Sequence, residues 1–349
     1  MSYITPLEKR KGLKLWGSPN EIFLIIAIAV LSLVIGLNNS VFFSIATPFD
    51  LIRSSLIEVL FALGLLIVLI SGGIDISFPI IGIFAGYTTV VVMLGLGLDT
   101  YSLWIPLVMA AIIGAILGSI NALLIAGFGL PTLIATLGTA GMFRGFLLSY
   151  IGSVYIANIP LGLDQFSTAD LLTFETGQGT LARLHVLVVP VLILAIAIAW
   201  LLRRTMFGRT VFALGGSEES ARRMGMNVRW TKARIYMLVG AISGIAGILY
   251  VSLQRKADPY DLYGTELEII AAVVLGGASI MGGYGTVTGT ILGVLLINLI
   301  KDNLILLGIP GSWQRAAIGL MLLIGVVAQA LSDKRRQKQA VTVAEGSAS

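Results

Sequence analysis

Long apolar segments, separated by short polar ones, make up most of this 349-residue chain. An uncharged apolar run of about 20 residues is long enough for an α-helix to cross ~30 Å of hydrocarbon. The pattern therefore predicts an all-α polytopic membrane protein with about ten transmembrane helices. The predicted spans are 21–38, 51–70, 78–96, 104–126, 132–151, 185–202, 233–253, 266–281, 287–306 and 313–331. A total of eight or nine spans is the alternative, because 51–70 and 266–281 carry polar residues at their ends.

Basic residues are distributed unevenly between the connecting segments. If both termini are cytoplasmic, more than two thirds of the 23 Lys and Arg residues lie on the inner side, as the positive-inside rule requires. Residues 1–20 then form a basic cytoplasmic N-terminus, 21–332 the transmembrane domain, and 333–349 a disordered cytoplasmic tail. Residues 203–232 form a cytoplasmic loop, and 152–184 the longest extracytoplasmic loop. The first apolar run lacks a small-residue cleavage site, so we expect an uncleaved helix rather than a signal peptide.

Composition narrows the classes of function. Hydrophobic residues make up 57% of the chain and charged residues 12%, with a mean hydropathy of +0.96, whereas soluble domains carry about 25% charged residues. Cysteine is absent and His185 is the single histidine, so we expect no disulfide and no metal centre. No Gly-x-x-x-x-Gly-Lys-Ser/Thr loop occurs, so the chain is not expected to hydrolyse ATP. The net charge of +5 is assigned to basic membrane flanks, and nucleic acid is not an expected partner.

A basic, glycine-containing amphipathic segment lies between two apolar stretches at residues 208–247. Ser217 is placed to N-cap a short helix, and Glu218 and Glu219 fall in its positively polarised first turn. Gly225 stands where a C′ glycine ends a helix. Such a helix on the inner face is suited to docking a cytoplasmic partner. The alternative is an amphipathic helix that lies on the membrane surface.

Two stretches, 57–86 and 267–296, share an order of features: a glutamate, an apolar run, a Gly-Gly break and a second apolar run with glycines. The breaks lie near 72–73 and 282–283. This similarity predicts a parallel internal repeat, a construction found in transporters. Other glycines are predicted to bring helices close together, namely Gly114, Gly118, Gly240, Gly244 and Gly247.

Four separated motifs occur in order along the chain. They are SGGIDIS at 71–77, LPTLIATLGTAGMFRG at 130–145, the 208–247 segment, and AAVVLGGASIMGGYGTVTGTILG at 271–293, which is followed by Trp313–Gln314. Together they resemble the permease subunits of ABC importers for ribose and other simple sugars, and the resemblance covers about residues 20–332. Phe78–Pro79 departs from the pattern, because that family usually has Val-Gly there.

The resemblance implies a permease subunit that pairs with a second, identical or homologous, permease chain in a bacterial-type cytoplasmic (inner) membrane. It implies two cytoplasmic ABC ATPase subunits that hydrolyse the ATP, and an extracytoplasmic binding protein that delivers a simple sugar or sugar-like solute. This chain is then not an enzyme and binds no cofactor. The residues expected to couple to the ATPases are Ser217, Glu218, Glu219, Ala221, Arg222, Arg223 and Gly225.

Polar residues within or beside the spans are candidates for the translocation pathway, because such residues are costly in a membrane and often functional. They are Asp75, Ser77, Tyr87, Asn121, Arg144 and Asn298. Each has a structural alternative. Asp75 or Ser77 can cap the third helix, Arg144 can pair with Glu58, and the asparagines can tie helices together. Tyr87, with Phe84 and Phe143, can stack on a sugar ring or simply pack.

Other functions stay open at this point. A branched-chain amino acid permease of the ABC type shares the broad architecture but needs charged partners for a zwitterion, and few candidates exist beyond Asp75, Glu58 and Arg144. A stand-alone, ion-coupled secondary transporter would use Asp75 as its proton or cation site. An intramembrane enzyme has no support, since no paired carboxylates and no Ser–His or His–Asp spacing occur.

Overall fold

A computed structural model describes residues 19–98, 102–175 and 181–304, together with positions 310, 313, 314, 316, 319, 320, 323 and 327. Residues 1–18 of the predicted basic N-terminus (1–20), most of the predicted last span (313–331) and the predicted tail (333–349) lie outside these residues.

The described residues form twelve α-helices and one two-stranded antiparallel β-hairpin. The helices are α1 Pro19–Asn38, α2 Ala46–Ile70, α3 Phe78–Gly95, α4 Trp104–Ala122, α5 Thr132–Phe146, α6 Leu161–Ser167, α7 Val188–Arg204, α8 Met206–Gly216, α9 Glu218–Arg223, α10 Val228–Gln254, α11 Glu266–Leu275 and α12 Val287–Asn303. One π-helical turn continues α4 through Leu123–Gly127, and another continues α5 through Leu147–Ile151. The strands are β1 Asp170–Glu175 and β2 Leu181–His185.

The protein is a helical membrane protein with several spans. Six helices in the described residues are long and apolar enough to cross a membrane, and α7 with α8 makes a seventh if this pair, bent by 71°, is one span. The predicted continuous span at 266–281 is wrong, because α11 has only 10 residues, about 15 Å of helix. The all-α prediction is wrong at the hairpin, where β1 pairs with β2. The total of about ten spans stays a prediction.

Helix α2 lies at the centre of the fold. From Leu56 to Ile70 every residue except Glu58 is buried, so this helix meets protein on all sides. Helix α10 packs against α2, α3 and α4. In contrast, the outer faces of α1, α4 and α7 expose apolar side chains such as Phe23, Ile116 and Ile196. These faces are suited to lipid.

Glycines bring α4 and α10 into backbone contact. A Cβ on Gly114 would lie 2.2 Å from the carbonyl oxygen of Gly240, and one on Gly244 would lie 2.1 Å from that of Ala110. A Cβ on Gly118 would lie 2.3 Å from the carbonyl oxygen of Tyr236. The packing role predicted for these glycines is confirmed, because only a residue without a side chain fits at such a crossing.

Two helix pairs are interrupted at the predicted Gly-Gly positions. The chain leaves helical geometry between α2 and α3, where Gly72 has φ +82°, and again between α11 and α12, where Gly282 has φ +91° and Gly283 φ +76°. Positive φ favours glycine strongly. Pro79 follows Phe78 in the first turn of α3, a position where its missing N–H costs no helical hydrogen bond.

Candidate coupling segment and pathway cavity

The 203–232 segment holds more helical structure than the sequence predicted. Helix α8 precedes the expected short helix and packs against α2, α7 and α10. Thr205 stands at the sharp bend between α7 and α8. Its hydroxyl donates to the carbonyl of Leu201 at 2.6 Å and accepts from the N–H of Gly208 at 3.1 Å, so it caps α8. Thr205 ahead of Met206 is a sequence signal for a helix start, but no helix was predicted at this position from the sequence.

The short helix predicted between the Ser217 cap and Gly225 is confirmed as α9, and both of its ends are capped. The Ser217 hydroxyl accepts from the N–H of Ser220 at 3.2 Å. At the other end, the N–H of Met226 donates to the carbonyl of Ala221 and the N–H of Gly225 donates to that of Arg222. With Gly225 at φ +79°, these two bonds form a Schellman motif.

Helix α9 is exposed and anchored at a few points. Only Ala221 is buried, whereas Arg222 and Arg223 expose most of their side chains. Glu218 pairs with Arg222 one turn on, at 3.4 Å, and with Lys232 of α10, at 2.6 Å. A further pair joins Glu219 to Arg223. The second contact of Glu218 crosses to another helix, so α9 is held against the start of α10.

A junction of three backbone segments lies immediately before α9. The N–H of Gly283 donates to the carbonyl of Ile70 at 2.8 Å. Gly215, at the end of α8, fits into this contact so closely that a Cβ there would lie 1.8 Å from the Ile70 oxygen and 2.2 Å from the Gly283 nitrogen. A Cβ on Gly282 would lie 2.7 Å from the Cα of Gly72. We call Ile70, Gly72, Gly215, Gly282 and Gly283 the glycine junction.

Three of the predicted pathway residues come together in one buried hydrogen-bonded chain. The Asp75 carboxylate accepts from the N–H of Ser77 at 2.7 Å and from its hydroxyl at 2.6 Å. The Ser77 hydroxyl accepts from the Asn121 amide at 2.8 Å, and the Asn121 oxygen accepts from the Thr139 hydroxyl at 2.7 Å. All four side chains are buried. We call Asp75, Ser77, Asn121 and Thr139 the polar network. It ties the start of α3 to α4 and α5.

The capping alternative for Asp75 and Ser77 is correct in part. The Ser77 hydroxyl forms no cap bond to α3, whereas Asp75 holds the N–H of Ser77 just before that helix. Two threonines of α5 hold the same stretch. The Thr132 hydroxyl accepts from the N–H of Ile74 at 3.0 Å, and the Thr136 hydroxyl accepts from the N–H of Ile76 at 3.3 Å. The backbone before α3 is therefore satisfied by side chains in place of helical bonds.

Arg144 lines a cavity of about 270 Å³ between α3, α5 and the start of α11. Its guanidinium lies over the ring of Tyr263, 3.7 Å from the centroid. The predicted pairing of Arg144 with Glu58 is wrong, because Glu58 pairs with Lys301 at 3.2 Å. We call this space the α11 cavity. Its wall includes Ile76, Pro79, Leu137, Arg144, Tyr263 and Glu266.

A second cavity, of about 300 Å³, lies on the other side of Leu262 and is bounded by α2, α10 and α12. Here Lys301 bridges Glu58 and Glu268, at 3.2 and 3.0 Å. Asn298 donates to the Ser55 hydroxyl at 3.0 Å and is buried. For Asn298, the predicted alternative of an interhelical tie is confirmed.

Most of the chain matches one family of known proteins. The model described as "Branched-chain amino acid transport system / permease component" matches residues 47–326, more than three quarters of the chain. The chain belongs to this permease family. The Autoinducer 2 import system permease protein LsrC of Salmonella typhi is 34% identical over 314 residues, 89% of this chain and 86% of the relative. The same protein of Escherichia coli (strain K12 / DH10B) is 33% identical over 316 residues, 90% of this chain and 88% of the relative.

The matched residues begin in α2 and include helix α9, the glycine junction, the polar network and both cavities. Helix α1 precedes them, yet α1 contacts the broken pair: the Asn20 amide donates to the carbonyl of Leu275 at 3.4 Å. Glu21 accepts from the hydroxyls of Thr286 and Thr288 at the start of α12. A carboxylate is favourable at a helix N-terminus, so α1 secures the interruption between α11 and α12.

In this permease the residues proposed to stack on a sugar lie in packed surroundings. Tyr87 is buried and donates to the carbonyl of Val154 at 2.8 Å. Phe84 packs edge-on against Phe143, with 6.5 Å between the ring centroids, and stacks on Phe146 at 6.2 Å. The packing alternative is therefore the one that the structure favours for Tyr87, Phe84 and Phe143.

The predicted extracytoplasmic loop at 152–184 is held to α10 at several points. Ile156 and Ala257 exchange two backbone hydrogen bonds of 2.9 Å. Asp164 receives two hydrogen bonds from Arg255, at 2.8 and 3.2 Å. His185, in β2, hydrogen-bonds the carbonyl of Ser167, and burial lowers the pKa of its imidazole below the usual value. These contacts hold α6 against the end of α10 and tie β2 to α6, while β2 itself packs against α2.

Proposed function

We propose that this chain is the transmembrane permease subunit of an ABC importer and translocates a simple sugar or sugar-like solute. Membership of the permease family supports the transport role, and relatives named Autoinducer 2 import system permeases support the direction of transport. An extracytoplasmic binding protein delivers the solute, and separate ABC ATPase subunits hydrolyse ATP. In this proposal the chain catalyses no reaction and binds no cofactor.

Helix α9 is the observation that carries the proposal. It is capped at both ends and exposed over Arg222 and Arg223. Along the chain, only Gly216 and Ser217 separate it from Gly215 of the glycine junction. A push on α9 from an ATPase therefore reaches the breaks between α2 and α3 and between α11 and α12. Because packed backbone segments shift as rigid bodies rather than deform, such a contact can tip the attached spans.

The finer architecture belongs to the same proposal. The chain crosses a bacterial-type cytoplasmic (inner) membrane with about ten helices and has both termini in the cytoplasm. A parallel repeat relates α2–α3 to α11–α12. A second permease chain completes the pathway. The basic residues Arg229, Lys232 and Arg234 at the start of α10 support placing α9 on the cytoplasmic side.

The test is co-purification of the ATPase from detergent-solubilised membranes of the native host. We expect an ABC ATPase with the wild-type chain and at least a tenfold loss with Arg222→Glu, since the substitution reverses the charge of an exposed α9 residue. Arg183→Glu is the matched control, because Arg183 is also an exposed arginine in an ion pair, with Asp170, but lies in the hairpin.

Retention of the ATPase by Arg222→Glu would remove α9 from the interface. A wild-type preparation that contains no ATPase and still transports in liposomes would contradict the importer proposal as a whole.

A further inference from the structure

We propose that the α11 cavity is the site on the pathway that receives the solute, and that it selects a neutral polyhydroxylated molecule. The inference rests on the proposed importer function. Nothing in the family description or in the names of the relatives assigns this cavity, its residues or its ligand.

The cavity lies at the start of a helix too short to cross the membrane. Helix α11 has 10 residues, and the segment after α10 leads into it through Leu262, at φ +60°, and Gly264, at φ +86°. Transporters place solute sites at the ends of such discontinuous helices, where a span is interrupted inside the protein. The segment between α10 and α11 places Tyr263 and Glu266 in one wall with Arg144 of α5. Ile76 and Pro79 line the same cavity, so it adjoins the interruption between α2 and α3.

Arg144 offers hydrogen-bond donors that no protein group uses. Within the described residues it forms no ion pair and no side-chain hydrogen bond, and its one specific contact is with the face of Tyr263. Stacking on a ring leaves the N–H groups at the edge of the guanidinium plane free to donate. A half-buried guanidinium held in this way can bind a ligand oxygen without first breaking a protein contact.

Glu266 offers acceptors in the same cavity. It is the first residue of α11 and, among the described residues, has no ion pair and no hydrogen bond through its side chain. The neighbouring carboxylate of Asp261 is occupied, because Lys256 contacts it at 2.8 Å and this contact raises the pKa of Lys256. Among the charged groups of the wall, those without a charged partner in the described residues are thus the Arg144 guanidinium, a donor, and the Glu266 carboxylate, an acceptor.

A hydroxyl group both donates and accepts hydrogen bonds, so a molecule with adjacent hydroxyls can pair with both the Arg144 guanidinium and the Glu266 carboxylate. The apolar part of the wall, with Ile76, Pro79 and Leu137, suits the carbon skeleton of the same molecule. A phosphorylated solute would face the carboxylates of Glu266 and Asp261. A zwitterion would form charge-assisted bonds at both ends, about twice as strong as neutral ones, which opposes release along a pathway.

The size of the cavity agrees with one small solute. About 270 Å³ lies near the lower end of the roughly 300–1,000 Å³ that small-molecule pockets occupy. The polar network lies directly behind the wall, because Ile76 is next to Ser77 and Ala140 is next to Thr139. Asp75 is therefore a positioning residue that fixes the wall and does not itself face the solute.

The experiment measures binding to the full chain in lipid nanodiscs by saturation-transfer NMR. The probes are D-ribose, D-ribose 5-phosphate and L-leucine, each at millimolar concentration. We expect a signal from D-ribose alone, and at least a tenfold weaker affinity in Glu266→Gln and in Tyr263→Leu, which remove a charged acceptor and the support of Arg144. Tyr260→Leu is the matched control, since Tyr260 is an exposed residue of the same segment outside the cavity wall.

Equal D-ribose binding by Glu266→Gln, Tyr263→Leu and the wild type would overturn the site. A signal from L-leucine with the same dependence on Glu266 would overturn the solute class in favour of a zwitterion. The absence of any signal from the wild type would overturn both. None of these results affects ATPase co-purification, so the importer proposal stands or falls separately.

Discussion

Replacing Gly215 with alanine tests the glycine junction most directly. The new Cβ would lie 1.8 Å from the carbonyl oxygen of Ile70 and 2.2 Å from the nitrogen of Gly283. Real Cβ atoms essentially never approach other atoms within 3.0 Å, so the methyl carbon has to move by about 1.2 Å. Both obstacles are backbone atoms, which cannot rotate away as a side chain would.

The cost follows from two effects. Overpacking of this kind costs about 1–3 kcal/mol. The movement also separates Gly283 from Ile70 and breaks their 2.8 Å hydrogen bond. The loss of this bond leaves buried backbone groups unpaired, which costs about 1–3 kcal/mol more. We therefore expect Gly215→Ala to destabilise the folded protein by about 2–6 kcal/mol.

The control is the next residue. A Cβ on Gly216 meets nothing within 4 Å, and alanine suits a helix end at least as well as glycine. The assay is thermal unfolding in nanodiscs, together with ATP-driven solute import by the reconstituted importer. We expect a lower midpoint and reduced import for Gly215→Ala, and wild-type values for Gly216→Ala. If the two variants behave alike, the junction is not tightly packed and α9 does not act through it.

Three further predictions concern stability. Burial lowers the pKa of His185 below ~6.5, so the folded state favours the neutral imidazole. The stability that this neutral imidazole contributes to the folded protein is therefore present above that pH and is lost as the pH falls. Hydrogen exchange at residues 166–187 should thus increase between pH 7.5 and 5.5, beyond its intrinsic rate, and His185→Gln should remove this dependence. Lys301→Met leaves Glu58 and its neighbouring carboxylate without a counter-ion, and should cost about 1–3 kcal/mol after allowance for partial exposure; an unchanged unfolding midpoint would contradict this. Gly240→Ala should weaken the α4–α10 crossing, since its Cβ would lie 2.3 Å from the Gly114 oxygen, whereas Gly138→Ala meets open space; equal midpoints for these two variants would show that the crossing tolerates a methyl group.

The sequence by itself determined what depends on local chemistry. Apolar run lengths located the long helices that the structure describes. Helices α1 and α3 match their predicted bounds within two residues, whereas α2 and α10 each begin five residues earlier than predicted. The caps of α9 were readable because Ser217 and Gly225 act on backbone groups within a few residues of themselves. The breaks at Gly72 and Gly282 were readable for the same reason, since a positive φ is a property of a single residue.

Only the tertiary structure decided which distant groups meet. Helix α8 resembles a cytoplasmic loop in sequence, yet its apolar side packs on α2. Arg144 and Glu58 carry opposite charges, but packing placed Lys301 beside Glu58 and left Arg144 on Tyr263. The α11 cavity and the glycine junction each join segments far apart in the chain. Their geometry depends on helix positions set to about an ångström, and no pattern within one segment contains that information.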